Sequence, residues 1–219
     1  MKGFSRIYLP LLIAILLLVV LGSWIGSAYN PDINSLLDAN GVRWSVSHIL
    51  SNYSRIPLAT IIMILVGVSV VMESGWTSWL FPKNHPLLLK QLRAYTYSNL
   101  LVFILILIFV SVLLMPSSPL VNAFGEFDNS PIATGGLALL VLAVILVANM
   151  YGYLSGRLTT SADFAFAHTR LLRKYSYAFI PLFLVGQIMG SLYYTHILTP
   201  DAEELNNIIM YLLTILCFV

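Results

Sequence analysis

Six apolar segments, separated by the chain's few charges, constrain this sequence more than any other feature. They run over residues 7–25, 57–72, 99–115, 132–154, 175–197 and 207–219, and none contains Asp, Glu, Lys or Arg. A bilayer core of about 30 Å takes roughly 20 apolar residues in a helix, because unpaired backbone groups are intolerable in hydrocarbon. The second segment is short and the sixth ends in Leu-Cys-Phe-Val. The expected fold is therefore all-α: a polytopic membrane protein of about six transmembrane helices.

Composition agrees. Of 219 residues, 59% are hydrophobic and 9% charged, where a soluble domain carries about 25% charged residues. Such a chain presents its outer surface to lipid. This excludes a soluble enzyme, a nucleic-acid binder and a disulfide-stapled secreted module. A net charge of +2 gives no steering field for an acidic partner, and Cys217, the single cysteine, can form no internal disulfide.

Orientation follows from Lys and Arg. With alternating spans, Lys2, Arg6, Lys83, Lys90, Arg93, Arg157, Arg170, Arg173 and Lys174 share one side, leaving Arg43 and Arg55 opposite. Asp32, Asp38, Glu126, Asp128, Asp201, Glu203 and Glu204 take that second side. Both termini are expected in the cytoplasm. Lys2, Arg6 and the following apolar run up to Gly26-Ser27-Ala28 also fit a cleaved signal peptide. The length of the run and the five spans after it favour an uncleaved first helix. Thr199-Pro200, with Asp201, Glu203 and Glu204 beyond, suits the start of the sixth helix, which just crosses the bilayer by Val219 unless the chain continues.

The connections hold structure of their own. Val42, Val46, Ile49, Leu50 and Tyr53 recur at helical spacing opposite Ser45, Ser47, His48, Ser51 and Asn52, the pattern of an amphipathic helix on the outer interface. Trp44 and Tyr53 suit headgroup depth there. Asn84 or His85 with Pro86 can start a helix that becomes span three. Ser161 and Asp163 signal a start for Phe164 to Lys174, with Phe164, Leu171 and Leu172 able to lie against lipid. With no linker and no internal repeat, residues 1–219 read as a single membrane domain.

Ionisable side chains at depth would mark function, but the inner stretches of the spans hold none. Glu73, at the cytoplasmic end of span two, reads as an interfacial carboxylate in water or as a gate paired with Lys83 or Arg93. His48, His85, His168 and His196 lie near interfaces without metal-ligand spacing, and no catalytic constellation is present. Neither metal, cofactor nor enzymatic activity is expected. The polar groups at depth are Gln187 in span five, Asn149 in span four, and Ser69 and Thr60 in span two. Each suits an inter-helix hydrogen bond or the lining of a polar pathway. Gly22 with Gly26, Gly152 with Gly156, and Gly186 with Gly190 are spaced for close helix packing or a dimer face. Pro181 is expected to kink span five and free a carbonyl near Gln187.

Two stretches resemble the AbgT family, the p-aminobenzoyl-glutamate transporters. The first is Asp38 to Trp44 (DANGVRW), Ile49 to Tyr53 (ILSNY), Pro57-Leu58, Leu65 to Gly67 and Glu73 to Gly75. It resembles the family's outer loop and second helix. The second is Tyr151 to Asp163 (YGYLSGRLTTSAD), followed by Tyr177 and Gln187, and it resembles a glycine-spaced helix, a cytoplasmic amphipathic segment and the helix after it. Together they cover roughly half the chain. The resemblance implies a secondary-transport role coupled to a cation gradient. The family's two re-entrant hairpins have no counterpart here, so no substrate residue carries over. What it implies is a shortened, scaffold-like component of the bacterial inner membrane, acting as a homodimer or with a membrane partner. The alternative is a non-transporting anchor or assembly subunit. The lipid bilayer is the one certain environment, and no nucleic acid is expected.

Overall fold

A computed structural model describes residues 4–79, 89–115, 118–122, 124–197 and 203–218. Among these there is no strand, and the α-helices run in order: α1 Phe4–Tyr29, α2 Ala39–Ser47, α3 Ile49–Ser54, α4 Leu58–Ser74, α5 Leu89–Leu113, α6 Pro131–Ser155, α7 Ser161–Lys174, α8 Phe179–Tyr194 and α9 Glu203–Leu216. Short 3-10 turns cover Trp76–Trp79 and Ser176–Ala178. Four of the described segments are long and apolar enough to cross a membrane: Tyr8–Tyr29, Leu89–Leu113, Pro131–Ser155 and Ser176–Tyr194. The other two expected spans are shorter helices, 17 residues in α4 and 14 in α9. Lys83, the Asn84–Pro86 start signal and Thr199 to Asp201 lie outside the described residues.

The chain divides into two compact units, residues 1–58 with 175–219, and residues 59–174. In the first, α8 is the central element. Leu182, Val185, Ile188 and Met189 are buried, and α1, α3 and α9 pack on it. Ser23 of α1, fully buried, donates to the Val20 carbonyl and accepts from the Leu36 amide, holding the chain after α1 against that helix. Outward-facing Leu17, Leu18 and Ile180 are each more than half exposed, as a lipid-facing surface requires.

In the second unit, α5 and α6 pair along their length. The ends of α6 are set by sequence. Ser130 accepts a hydrogen bond from the Ala133 amide at 3.2 Å, with Pro131 at the first helical position, where the missing proline N–H costs nothing. Gly156, at φ 80°, closes the other end, with the Arg157 amide turned back to the Gly152 carbonyl at 2.9 Å, a left-handed stop that favours glycine.

Several sequence expectations change in detail. The amphipathic segment of residues 30–55 forms two helices, broken at His48 (φ −105°). Val42, Val46 and Leu50 face outward, but Asn52, assigned to the polar water-facing side, is 1% exposed against α8. Pro181 stands in the first turn of α8, just after a 3-10 turn, where its missing N–H costs the helix few bonds. Leu171 is 6% exposed, packed within the protein and not against lipid.

Candidate functional site

The candidate polar residues contribute to two docking sites, one within each unit, where a polar side chain on a long helix holds a shorter one.

In the first unit the site is built on α8. Gly186 and Gly190 lie one turn apart on one face, and α3 lies directly on them. A Cβ on Gly186 would stand 2.9 Å from the Asn52 carbonyl oxygen and 3.2 Å from the Tyr53 Cα. A Cβ on Gly190 would fall onto the Asn52 side-chain amide. Between them, Gln187 accepts from Asn52 Nδ2 at 3.3 Å and donates from Nε2 to the Ile49 carbonyl at 2.8 Å. Asn52 therefore carries its amide into an apolar contact, where Nδ2 finds Gln187 as its partner and Oδ1 is buried with none among the described residues. Aromatic packing flanks the site. Tyr53 meets Phe183 edge-on at 5.5 Å, Trp44 stacks on Tyr194 at 4.4 Å, and Arg55 lies over the Tyr193 ring at 5.1 Å.

In the second unit α7 is the helix being held. Ser69 of α4, with no exposed surface, donates to the Ala167 carbonyl and accepts from the Leu171 amide at 3.3 Å. One turn of α7 is thus fastened through its own backbone. Asn149 of α6 reaches His168. The ring donates from Nδ1 to the Phe164 carbonyl at 2.7 Å, which leaves Nε2 to accept from Asn149 Nδ2 at 3.4 Å; the tautomer follows from this network. Glu73, read from sequence as an interfacial carboxylate or as a partner of Lys83 or Arg93, pairs with Arg170 of α7. The periodicity of α7 hides this partner, because a basic residue near the end of an amphipathic helix reads as one more headgroup-level cation. Thr60, by contrast, is a half-buried residue in the first turn of α4.

The remaining glycines have local roles. A Cβ on Gly75 (φ 72°) would meet the Arg157 guanidinium, and one on Gly156 would stand 2.7 Å from Lys90 Nζ. Gly152 sits under Leu158, with Ser74 Cβ at 3.2 Å. Gly26 faces Ile33, and Gly22 has open space.

The start of α7 is a capping box, moved one residue upstream of the expected Ser161. The Asp163 amide donates to Thr160 Oγ1 at 3.2 Å, while the Asp163 carboxylate accepts from the Thr160 and Thr159 amides at 2.8 and 3.1 Å. Those backbone bonds, the Thr160 one first, hold the carboxyl below its ordinary value of 3.8, because they favour the charged form. A depressed pKa means the cap is intact above the unfolded value and is lost as pH falls through the folded one. Exchange protection of the Thr159 and Thr160 amides, corrected for intrinsic rates, should therefore drop only below about pH 4. In Asp163→Ala it should be low at every pH. Protection unchanged by the substitution would remove the capping role.

Among the described residues no three of His, Cys, Asp and Glu stand together to hold a metal. The fold thus defines an all-helical protein with four helices suited to crossing a membrane, each unit fastening one shorter helix through buried polar contacts. Comparison of the sequence with family models, curated proteins and solved structures finds no match.

Proposed function

We propose that this chain is a non-catalytic scaffold component of a membrane transport assembly in the bacterial cytoplasmic membrane. It acts with a partner polypeptide or a second copy on compounds like p-aminobenzoyl-glutamate. One observation carries the reading: the polar groups nearest the helix interiors, Ser69, Asn149 and Gln187, together with Glu73, bond to α3 or α7 of their own unit. Substrate and ion sites of secondary transporters usually lie on broken helices near the midplane, whereas these groups serve helix docking. The AbgT-like stretches support the same reading, since Asn52, Glu73 and Gln187 all fall within them and all belong to these contacts. The proposed topology is six spans with both termini cytoplasmic, from the distribution of Lys and Arg.

The test is transport by the purified chain in liposomes under an imposed cation gradient, alongside affinity purification from native membranes. The expected result is no uptake of p-aminobenzoyl-glutamate by the chain alone, and recovery of a membrane partner or a homodimer that restores uptake. Gradient-driven uptake by the chain alone overturns the scaffold reading. A second reading, an anchor for another complex, is favoured by the exposure of Arg170, 49% even while paired to Glu73. Recovery of a cytoplasmic complex without transport would select it.

A further inference from the structure

We propose that the α5–α6 pair carries a site for an anionic phospholipid, with an acyl chain in the groove between the two helices and the headgroup phosphate on Lys90 and Arg157. The groove encloses about 450 Å³ and is lined by Val102 and Phe109 of α5, Ile132, Gly136 and Val147 of α6, and Trp76 at one end. From Ile132 to Val147 it follows α6 for about 22 Å at 1.5 Å per residue. That exceeds half of a hydrocarbon core of about 30 Å, the depth one leaflet's acyl chain occupies. Gly136 leaves its floor without a side chain, and the walls offer no polar group that a protein side chain would seek.

Charge identifies the end that takes the headgroup. Trp76 closes the apolar stretch, and indole rings suit headgroup depth; its ring N–H is buried without an acceptor in the protein. Immediately beyond it lies Gly75, with the Arg157 guanidinium over it, and Lys90 Nζ lies over Gly156, the residue before Arg157. Lys90 and Arg157 are exposed, and neither has a carboxylate partner among the described residues. The nearby acids are engaged, Glu73 with Arg170 and Asp163 with the start of α7. Two unpartnered cations at the mouth of an apolar groove match a phosphate joined to an acyl chain.

Native mass spectrometry of the detergent-purified chain, titrated with phosphatidylglycerol and phosphatidylcholine of equal chain length, tests this. The expected result is one preferentially retained phosphatidylglycerol. Lys90→Gln should lower that preference about fivefold, and Lys90→Gln with Arg157→Gln about 25-fold. Ala143→Phe, which fills the groove, should lower retention of both lipids. Equal retention of the two lipids by the unaltered chain overturns the proposal, as does an unchanged preference in Lys90→Gln, which stands even if Arg157 is needed for folding. If the cations only neutralise the carbonyl end of α6, the variants will lose stability with their headgroup preference intact, and the site falls. Disulfide-linked dimers of Leu140→Cys would also overturn it, because a second copy would then occupy the groove.

Discussion

Replacing Gly190 by alanine is expected to destabilise the first unit by about 2 kcal/mol, a large effect for one added methyl group. A Cβ there lands on the Asn52 side chain, and Asn52 is 1% exposed, so the amide has nowhere to swing. Overpacking of this kind costs about 1–3 kcal/mol, and any escape of Asn52 breaks its hydrogen bond to Gln187, worth about 1 kcal/mol more. Asn52→Ala in the same chain should recover much of the loss, because it removes the atoms in conflict. The coupling between the two positions should be about 1–2 kcal/mol. Gly186→Ala makes the contrast. Its Cβ meets the Asn52 carbonyl and the Tyr53 Cα, backbone atoms that Asn52→Ala leaves in place, so no rescue is expected there. Denaturant unfolding in mixed micelles measures all five variants: the three single substitutions and the two that combine Asn52→Ala with a glycine replacement. Equal rescue at both glycines would sink the idea that α3 sits on α8 through a side chain at one position and backbone at the other.

That contrast also shows what the sequence alone could reveal. The glycine pair of α8 was legible, because spacing of four on a helix puts both on one face. What covers that face was not. Asn52 lies on the polar side of an amphipathic repeat, where water is the default neighbour, and only the fold shows it turned onto Gly190 and Gln187. The same limit applies to Gly156 in α6. Its spacing from Gly152 matches a packing motif, yet its φ of 80° makes it a helix stop, a distinction set by backbone dihedral and invisible to residue spacing. Helix boundaries were readable where apolar runs end at charge or glycine. Pro181 reads as interior to its apolar run, and only the fold shows that a 3-10 turn at Ser176–Ala178 precedes α8 and places the proline in its first turn. Glu73 was readable as an interfacial acid, but its partner depended on where α7 docks, and α7 contacts α4 across almost a hundred residues of chain.

Ser69→Leu should undock α7, the largest single effect expected in the second unit. Ser69 has no exposed surface and bonds both to the Ala167 carbonyl and to the Leu171 amide. Ala167, itself fully buried, offers no side chain long enough to move aside for a larger neighbour. Leucine therefore removes two hydrogen bonds, at about 1 kcal/mol each, and adds volume that costs about 1–3 kcal/mol more, for a total near 4 kcal/mol. Ser69→Ala loses only the bonds, about 1–2 kcal/mol, and should leave α7 largely in place. The two remaining clasps, Asn149 with His168 and Glu73 with Arg170, are weaker: the first is a long hydrogen bond of 3.4 Å, and the second is partly exposed to solvent screening. Neither can hold a helix whose buried turn has been pushed off. Limited trypsin digestion reads the outcome, because Arg170, Arg173 and Lys174 become cleavable once the helix leaves its seat. Faster cleavage at these sites in Ser69→Leu, with Ser69→Ala close to the unaltered chain, is the expected order. Equal protection in all three proteins would mean that α7 is held by something other than Ser69, and the role of this serine as the principal clasp would have to be given up.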